Sequence, residues 1–319
     1  MNSAYFGSPH LSATLLTQLI EKDDLSISLV VTQPNKPAGK RLEMMPTAVK
    51  LLAQKHTIEV FDEESFEKLP RLLEKKHIDL CMVFAYGRIL PSSLLAIPKY
   101  GFWNIHPSLL PLYRGPAPII YPLILGAHKT GVTLMRMDAG LDTGDIIAQE
   151  AVALSDKDTK TSLEEKLISL SSQMIMKAVD STQHNRLFMK KQKSENATYS
   201  RLLKKSDGYI APHFIQAALE GNMAASEHIP EVLKEYWNTY EKDRLHRDLP
   251  ASVVIHRLYK GLHPWPGLWT NIKYNNNQLR VKLLELHVAN NMLIIDQVQV
   301  EGKKPVDFTT FRKAYNIFA

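Results

Sequence analysis

Cysteine is almost absent from this chain of 319 residues: Cys81 stands alone, in the apolar run Ile78-Asp-Leu-Cys-Met-Val-Phe84. One thiol excludes an intrachain disulfide framework and a cysteine-cluster zinc site, and its setting reads as buried packing. No metal site is expected. No run of 18 uninterrupted apolar residues occurs, and Met1 leads directly into a strand-like segment without a signal or transit pattern. A cytoplasmic protein with no membrane partner is therefore expected. The first strand-to-helix turn, Phe6-Gly7-Ser8-Pro9, lacks the spaced glycines of a dinucleotide fingerprint, which argues against a dinucleotide cofactor.

The chain does have length and basic charge. It exceeds what one hydrophobic core usually serves, so two domains are expected, and 45% hydrophobic with 23% charged residues is ordinary for a globular protein. A net charge of +6 favours a polyanionic partner. The excess is uneven: Arg186, Lys190, Lys191, Lys193, Arg201, Lys204 and Lys205 face only Glu195 within one short stretch. Such a run is either a solvated linker or a stripe that tracks a nucleic-acid backbone.

Strand-like and helix-like segments alternate through the first half. Strands are expected over 3–6, 26–32, 57–61, 80–85, 101–106, 131–137 and 145–153, with helices over 11–22, 46–55, 66–76, 116–125 and 160–182. Alternation at this spacing predicts an α/β fold with a doubly wound, mostly parallel sheet. Ligands of such sheets sit at the carboxyl ends of the strands. There the segment Asn104-Ile-His106 presents an amide and an imidazole two residues apart, hence on one face of a strand. Asn can donate to a developing oxyanion, His can move a proton near neutral pH, and a carboxylate such as Asp142 can stabilise the imidazolium. The bare residues also allow a structural reading, in which strand-end polar groups satisfy backbone atoms.

The stretch Asn104–Pro118 (NIHPSLLPLYRGPAP), together with Thr130–Asp145 (TGVTLMRMDAGLDTGD), resembles the folate-dependent formyltransferases. Three further stretches resemble the branch acting on methionyl-tRNA: the basic loop Gln33–Pro46, the tetrapeptide His263-Pro-Trp-Pro266, and Val298–Phe308. The resemblance implies a Rossmann-like formyltransferase domain at 1–187, a basic linker at 188–206, and a C-terminal tRNA-binding domain at 207–319. Within the last, about forty residues (210–248) form a helical insertion, and 250–319 form a smaller, shortened OB-like β-barrel. Its strands are expected over 268–274, 279–288, 292–300 and from Lys303 onward. The co-substrate implied is 10-formyltetrahydrofolate, the acceptor initiator methionyl-tRNA, and the protein a monomer.

By the same resemblance Asn104, His106 and Asp142 are catalytic, with Asp142 as base or as orienter of His106. The folate would meet Phe84, Tyr86, Gly87, Ile89, Leu90 and Pro91, then Ser108, Leu109, Leu110 and Pro111, then Asp138, Gly140 and Leu141. The tRNA would meet Lys36, Lys40, Arg41, Arg114, Lys190, Lys191, Lys193, Lys303 and Lys304. The same core also suits a nucleotide sugar, a ribonucleotide or hydrolysis of the formyl folate, and a non-catalytic RNA-binding protein on this scaffold is the farther alternative.

Overall fold

A computed structural model describes residues 1–38, 42–224, 229–240 and 249–318. In chain order the elements are β1 (Asn2–Phe6), α1 (His10–Ile20), β2 (Ser26–Val31), β3 (Lys36–Ala38), β4 (Glu43–Met45), α2 (Ala48–Lys55), β5 (Glu59–Phe61) and α3 (Leu69–Lys75). Next come β6 (Leu80–Val83), α4 (Ser92–Leu95), β7 (Phe102–His106), α5 (Ile120–Leu125), β8 (Lys129–Arg136), β9 (Ile146–Ala153) and α6 (Lys160–Gln183). The remainder is α7 (Pro212–Leu219), α8 (Glu231–Tyr240), α9 (Ala251–Leu262), β10 (Leu268–Tyr274), β11 (Asn277–Ala289), β12 (Met292–Val300), β13 (Val306–Asp307) and α10 (Phe308–Tyr315).

Two compact units result. The first is Met1–Pro118, Lys129–Ala153 and Glu164–Tyr199; the second is Ile119–His128, Leu154–Leu163 and Ser200–Ala319. In the first, a sheet runs in the order β5-β2-β1-β6-β7-β8-β9. The strands from β5 to β7 are parallel, and β8 and β9 add an antiparallel edge. Each strand segment read from the first half of the sequence lies in it. The central strands are buried on both faces, which explains their unbroken apolar runs. One face packs Ala4, Phe6, Leu29, Val31, Cys81, Val83 and Phe102 against Leu69 and Leu73. Cys81 is buried there, and burial pushes its thiol well above the ordinary value.

Helix α5 begins at Ile120, later than the expected position 116, because Pro116 and Pro118 lack the N–H and disfavour a helical residue before them. Within the basic loop β3 and β4 pair antiparallel, although neither has the length or periodicity that marks a strand in sequence.

In the second unit α9 buries Ala251, Val254, Ile255, Leu258 and Leu262, a helical stripe that covers one face of a sheet ordered β10-β11-β12-β13. This is an antiparallel meander, shorter than a five-stranded OB barrel. Its two tight turns are Asn275-Asn276 and Asn290-Asn291, all four at positive φ, as a two-residue hairpin of this hand requires. The expected strand from Lys303 onward is corrected: pairing with β12 is confined to Val306–Asp307 before the chain turns helical. Asp307 caps α10 by accepting from Thr310 N at 2.8 Å, and Phe308 and Phe311 bury one face of it.

Gly131 lies opposite Ala151 where β8 and β9 pair, and a Cβ placed on it would stand 2.1 Å from the carbonyl oxygen of Glu150. The Gly131→Ala variant is expected to be destabilised by about 1–3 kcal/mol through overpacking. A urea midpoint equal to that of the parent would refute this.

Candidate active site

Strand β7 is flanked by β6 and β8, and its residues Phe102, Trp103 and Ile105 are buried in the core. Asn104 and His106 lie on the face opposite Trp103 and Ile105 and reach a common partner. Asp142, at the tip of the β8–β9 connection, turns its carboxylate to both: Asn104 Nδ2 donates to Oδ1 at 3.3 Å, and His106 Nδ1 stands 3.6 Å from Oδ2. Gly115 N donates to that same Oδ2 at 2.7 Å. Asp142 adopts a left-handed backbone (φ +53°), unusual for a residue with a Cβ. The three residues read as catalytic therefore do converge.

The loop between β7 and Gly115 is moored from below. Thr133 Oγ1 donates to Ser108 O and accepts from Leu110 N, and Gln149 Nε2 donates to Leu110 O. His106 is only 4% exposed, and its Nε2 lies 3.2 Å from the carbonyl oxygen of Tyr113. Burial lowers the imidazole pKa below its ordinary value; the Asp142 carboxylate and the Tyr113 carbonyl oppose that shift, and the Arg114 guanidinium adds to it.

Residues assigned to the folate divide by exposure. Phe84, Tyr86, Leu90, Ser108 and Leu110 are buried, and Ser108 O and both main-chain groups of Leu110 are already bonded within the protein. Leu109 and Pro111 are half-buried, and Pro91, Gly87 and Asp138 are exposed. Asp138 is engaged in shaping its own loop, accepting from Gly140 N at 3.0 Å and Thr143 Oγ1 at 2.6 Å. Ile89 at 94% and Leu141 at 60% exposure hold apolar side chains in solvent.

Of the residues assigned to tRNA, Lys36 donates to Gln33 Oε1 at 2.6 Å, whereas Lys40 and Arg41 lie outside the described residues. Lys190, Lys191, Lys193, Lys303 and Lys304 are exposed, with Lys303 Nζ on Tyr315 OH at 2.8 Å. Arg114 is corrected. At 1% exposure it cannot reach a phosphate; instead it donates to Gln192 Oε1 through Nη2 (2.8 Å) and Nε (3.2 Å), and to Tyr199 OH at 3.2 Å.

The sequence reading missed Gln192, Thr198 and Tyr199. Their stretch, expected to be a linker, is bonded to the loops that carry Arg114 and Asp142: Thr198 O accepts from Arg114 N at 2.8 Å, and Gln192 Nε2 donates to Asp142 O and Gly144 O, both at 2.8 Å. The only available signal was an uncharged amide among lysines. Among the described residues no group of His, Cys, Asp and Glu could hold a metal ion, and no helix is long and apolar enough to cross a membrane.

Residues 1–179 match the formyl transferase family. The chain is 39% identical to the methionyl-tRNA formyltransferase of Geobacter metallireducens, over 96% of this chain and 93% of that one. It is 32% identical to the methionyl-tRNA formyltransferase of Caldicellulosiruptor saccharolyticus, over 92% and 82%. The chain belongs to the methionyl-tRNA formyltransferase family. Among solved structures, a 4-N formyltransferase from Francisella tularensis shares the fold with a TM-score of 0.59 at 17% identity, covering 90% of this chain and 98% of that one. A fold relative of similar identity, the N-formyltransferase of Helicobacter canadensis, was crystallised with folinic acid and dTDP-3-aminofucose. The family match covers every strand of the seven-stranded sheet and gives the Asn104–Asp142–His106 convergence a chemical context.

Because His106 is lowered in the folded state, the unfolded chain binds more protons than the native one as pH falls through about 6.5. Stability is therefore full above that pH and declines below it. The urea midpoint of the parent should drop more between pH 7.5 and pH 5.5 than that of His106→Gln, and parallel declines would show that His106 does not contribute.

Proposed function

We propose that this protein transfers the formyl group of 10-formyltetrahydrofolate to the α-amine of initiator methionyl-tRNA. The observation that carries the reading is the single carboxylate shared by Asn104 and His106. One amide hydrogen of Asn104 is directed at Asp142, which orients the group; an NH2 has a second, and that one is the donor for an oxyanion. The amine nitrogen attacks the formyl carbon, the carbonyl oxygen takes the negative charge, and collapse breaks the bond to N10. The proton that the amine loses ends on N10, so the exchange balances without a further reactant.

His106, kept neutral by burial, is the group that carries this proton. Asp142 already accepts from Asn104 and Gly115 N, so its part is to orient the imidazole and stabilise its cation. The folate reading is supported by the exposed apolar side chains of Ile89 and Leu141, which a flat ring could cover, and by the carbonyl- and amide-bearing turns beside them. Lys190, Lys191 and Lys193 in the first unit, and Lys303 and Lys304 in the second, are exposed cations suited to acceptor phosphates. Such a reaction belongs in the cytoplasm, where tRNA is charged.

Given 10-formyltetrahydrofolate and charged initiator tRNA, the protein should form formylmethionyl-tRNA. Asn104→Ala, His106→Ala and Asp142→Ala should each lower kcat by about two orders of magnitude while the fold persists. A folded variant that retains turnover within about threefold removes its residue from the proposed machinery.

The acceptor is tested separately by salt. Phosphate contacts release counterions, so kcat/KM for tRNA should fall steeply from about 50 to 200 mM salt while the KM for the folate stays level. A flat response toward the acceptor would favour a small amine, such as a nucleotide sugar, over tRNA.

A further inference from the structure

We propose that Gln192 is a positioning residue for formyl transfer: its side-chain amide, itself held by the buried Arg114, locks the backbone of Asp142 so that the carboxylate faces Asn104 and His106. The inference rests on the formyl-transfer reading and adds to it a part of the chain that neither the motifs nor the candidate triad includes.

The amide can sit in only one orientation. A guanidinium has donors alone, so the group that meets Arg114 Nη2 and Nε must be the oxygen, Oε1. Main-chain carbonyls only accept, so the group at 2.8 Å from both Asp142 O and Gly144 O must be Nε2. A flipped amide would oppose like groups at all four contacts. Both polar atoms of Gln192 are thus used, and both hydrogens of its nitrogen go to the tip of the β8–β9 connection.

Register brings it there. Lys190 exchanges backbone hydrogen bonds with Ile146, both at 2.8 Å, pinning this segment beside the start of β9. With Lys190 paired, Lys191 and Lys193 turn to solvent while Gln192 is half-buried. The contact falls on a residue in the left-handed region, since Asp142 holds φ +53°. Arg114 closes the circuit from the other side. Its side chain reaches the Asp142 backbone through Gln192, and the next residue, Gly115, donates its N–H to the Asp142 carboxylate at 2.7 Å. One short turn therefore holds Asp142 by both main chain and side chain.

The test uses the full chain with Gln192→Met, which keeps length and neutrality but removes both polar ends, and Arg114→Lys, which keeps the charge but loses the paired contact. Two readouts are taken. The first is the titration midpoint of His106, followed by NMR of histidine labelled at Cε1, with the signal assigned by its absence from His106→Gln. Freed from its hold, Asp142 supports the imidazolium less, so the midpoint should fall in both variants. The second is steady-state formylation: kcat should fall by about 30- to 100-fold, the usual consequence of a small misplacement, with KM for both substrates within about twofold.

A residue that served only folding would lower the melting temperature without moving the His106 midpoint, and an unmoved midpoint in folded protein overturns the proposal. If Gln192→Met does not fold, Arg114→Lys decides by the same midpoint. A parent protein that does not formylate methionyl-tRNA would defeat the proposed function, while the midpoint would still judge the clamp.

Discussion

The carboxylate of Asp142 is the point on which the catalytic geometry turns. Its two oxygens are divided, Oδ1 to Asn104 and Oδ2 to His106 and Gly115 N, and they are presented from a left-handed backbone. The left-handed conformation needed for this costs about 1–2 kcal/mol for a residue with a Cβ. Hydrogen bonds to a charged group contribute about 1.5–3 kcal/mol each, so the contacts at this residue suffice to hold it there. Since the triad is assembled from β7 and a hairpin tip, its precision depends on what restrains the tip. That is why the stretch from Lys190 to Tyr199, well outside the strands, matters to the chemistry.

Burial sets the protonation states. His106 has a carbonyl at one ring nitrogen and a carboxylate near the other, an arrangement that would suit the imidazolium. Desolvation outweighs both, and the nearby guanidinium of Arg114 acts in the same direction. The balance leaves a neutral ring with acceptors already in position for the cation it becomes when it takes a proton. In the proposed transfer, a base prepared in this way needs little reorganisation when the proton moves, which is the advantage of fixed dipoles over water.

The legible parts of the sequence were those with a period. The alternation of strand-like with helix-like segments located the strands of the main sheet, and the two-residue spacing of Asn104 and His106 placed them on one face because strand geometry admits nothing else. Asp142 was legible as a candidate carboxylate, but a hairpin tip has no periodicity to connect it with β7, and the family resemblance was what joined it to the pair. Arg114 was misread because sequence reports charge and not burial: in a basic protein an arginine beside a glycine-proline turn looks like a surface group. Gln192 was overlooked for the complementary reason, an uncharged amide hidden in a run whose lysines suggested a solvated linker. The short end of the second unit was misjudged where Asp307 and Thr310 form a helix cap that local pattern alone had left as strand.

Arg114 and the exposed lysines show how one chain uses like charges for unlike ends. A guanidinium sunk beside Gln192 exerts its field on His106 and fixes a loop, because in a poorly solvated setting a charge acts strongly over short range. A lysine held in solvent, such as Lys191 or Lys193, is screened within a Debye length and can act only by attracting a polyanion from outside. These neighbours in sequence, separated by the single half-buried Gln192, thus differ in setting: the amide bonds the Asp142 loop, and the cations beside it face solvent. Pinned by the bridge between Lys190 and Ile146, one short segment presents an amide to the protein and cations to solvent, and on the proposed function these two faces would serve catalytic support and acceptor attraction separately.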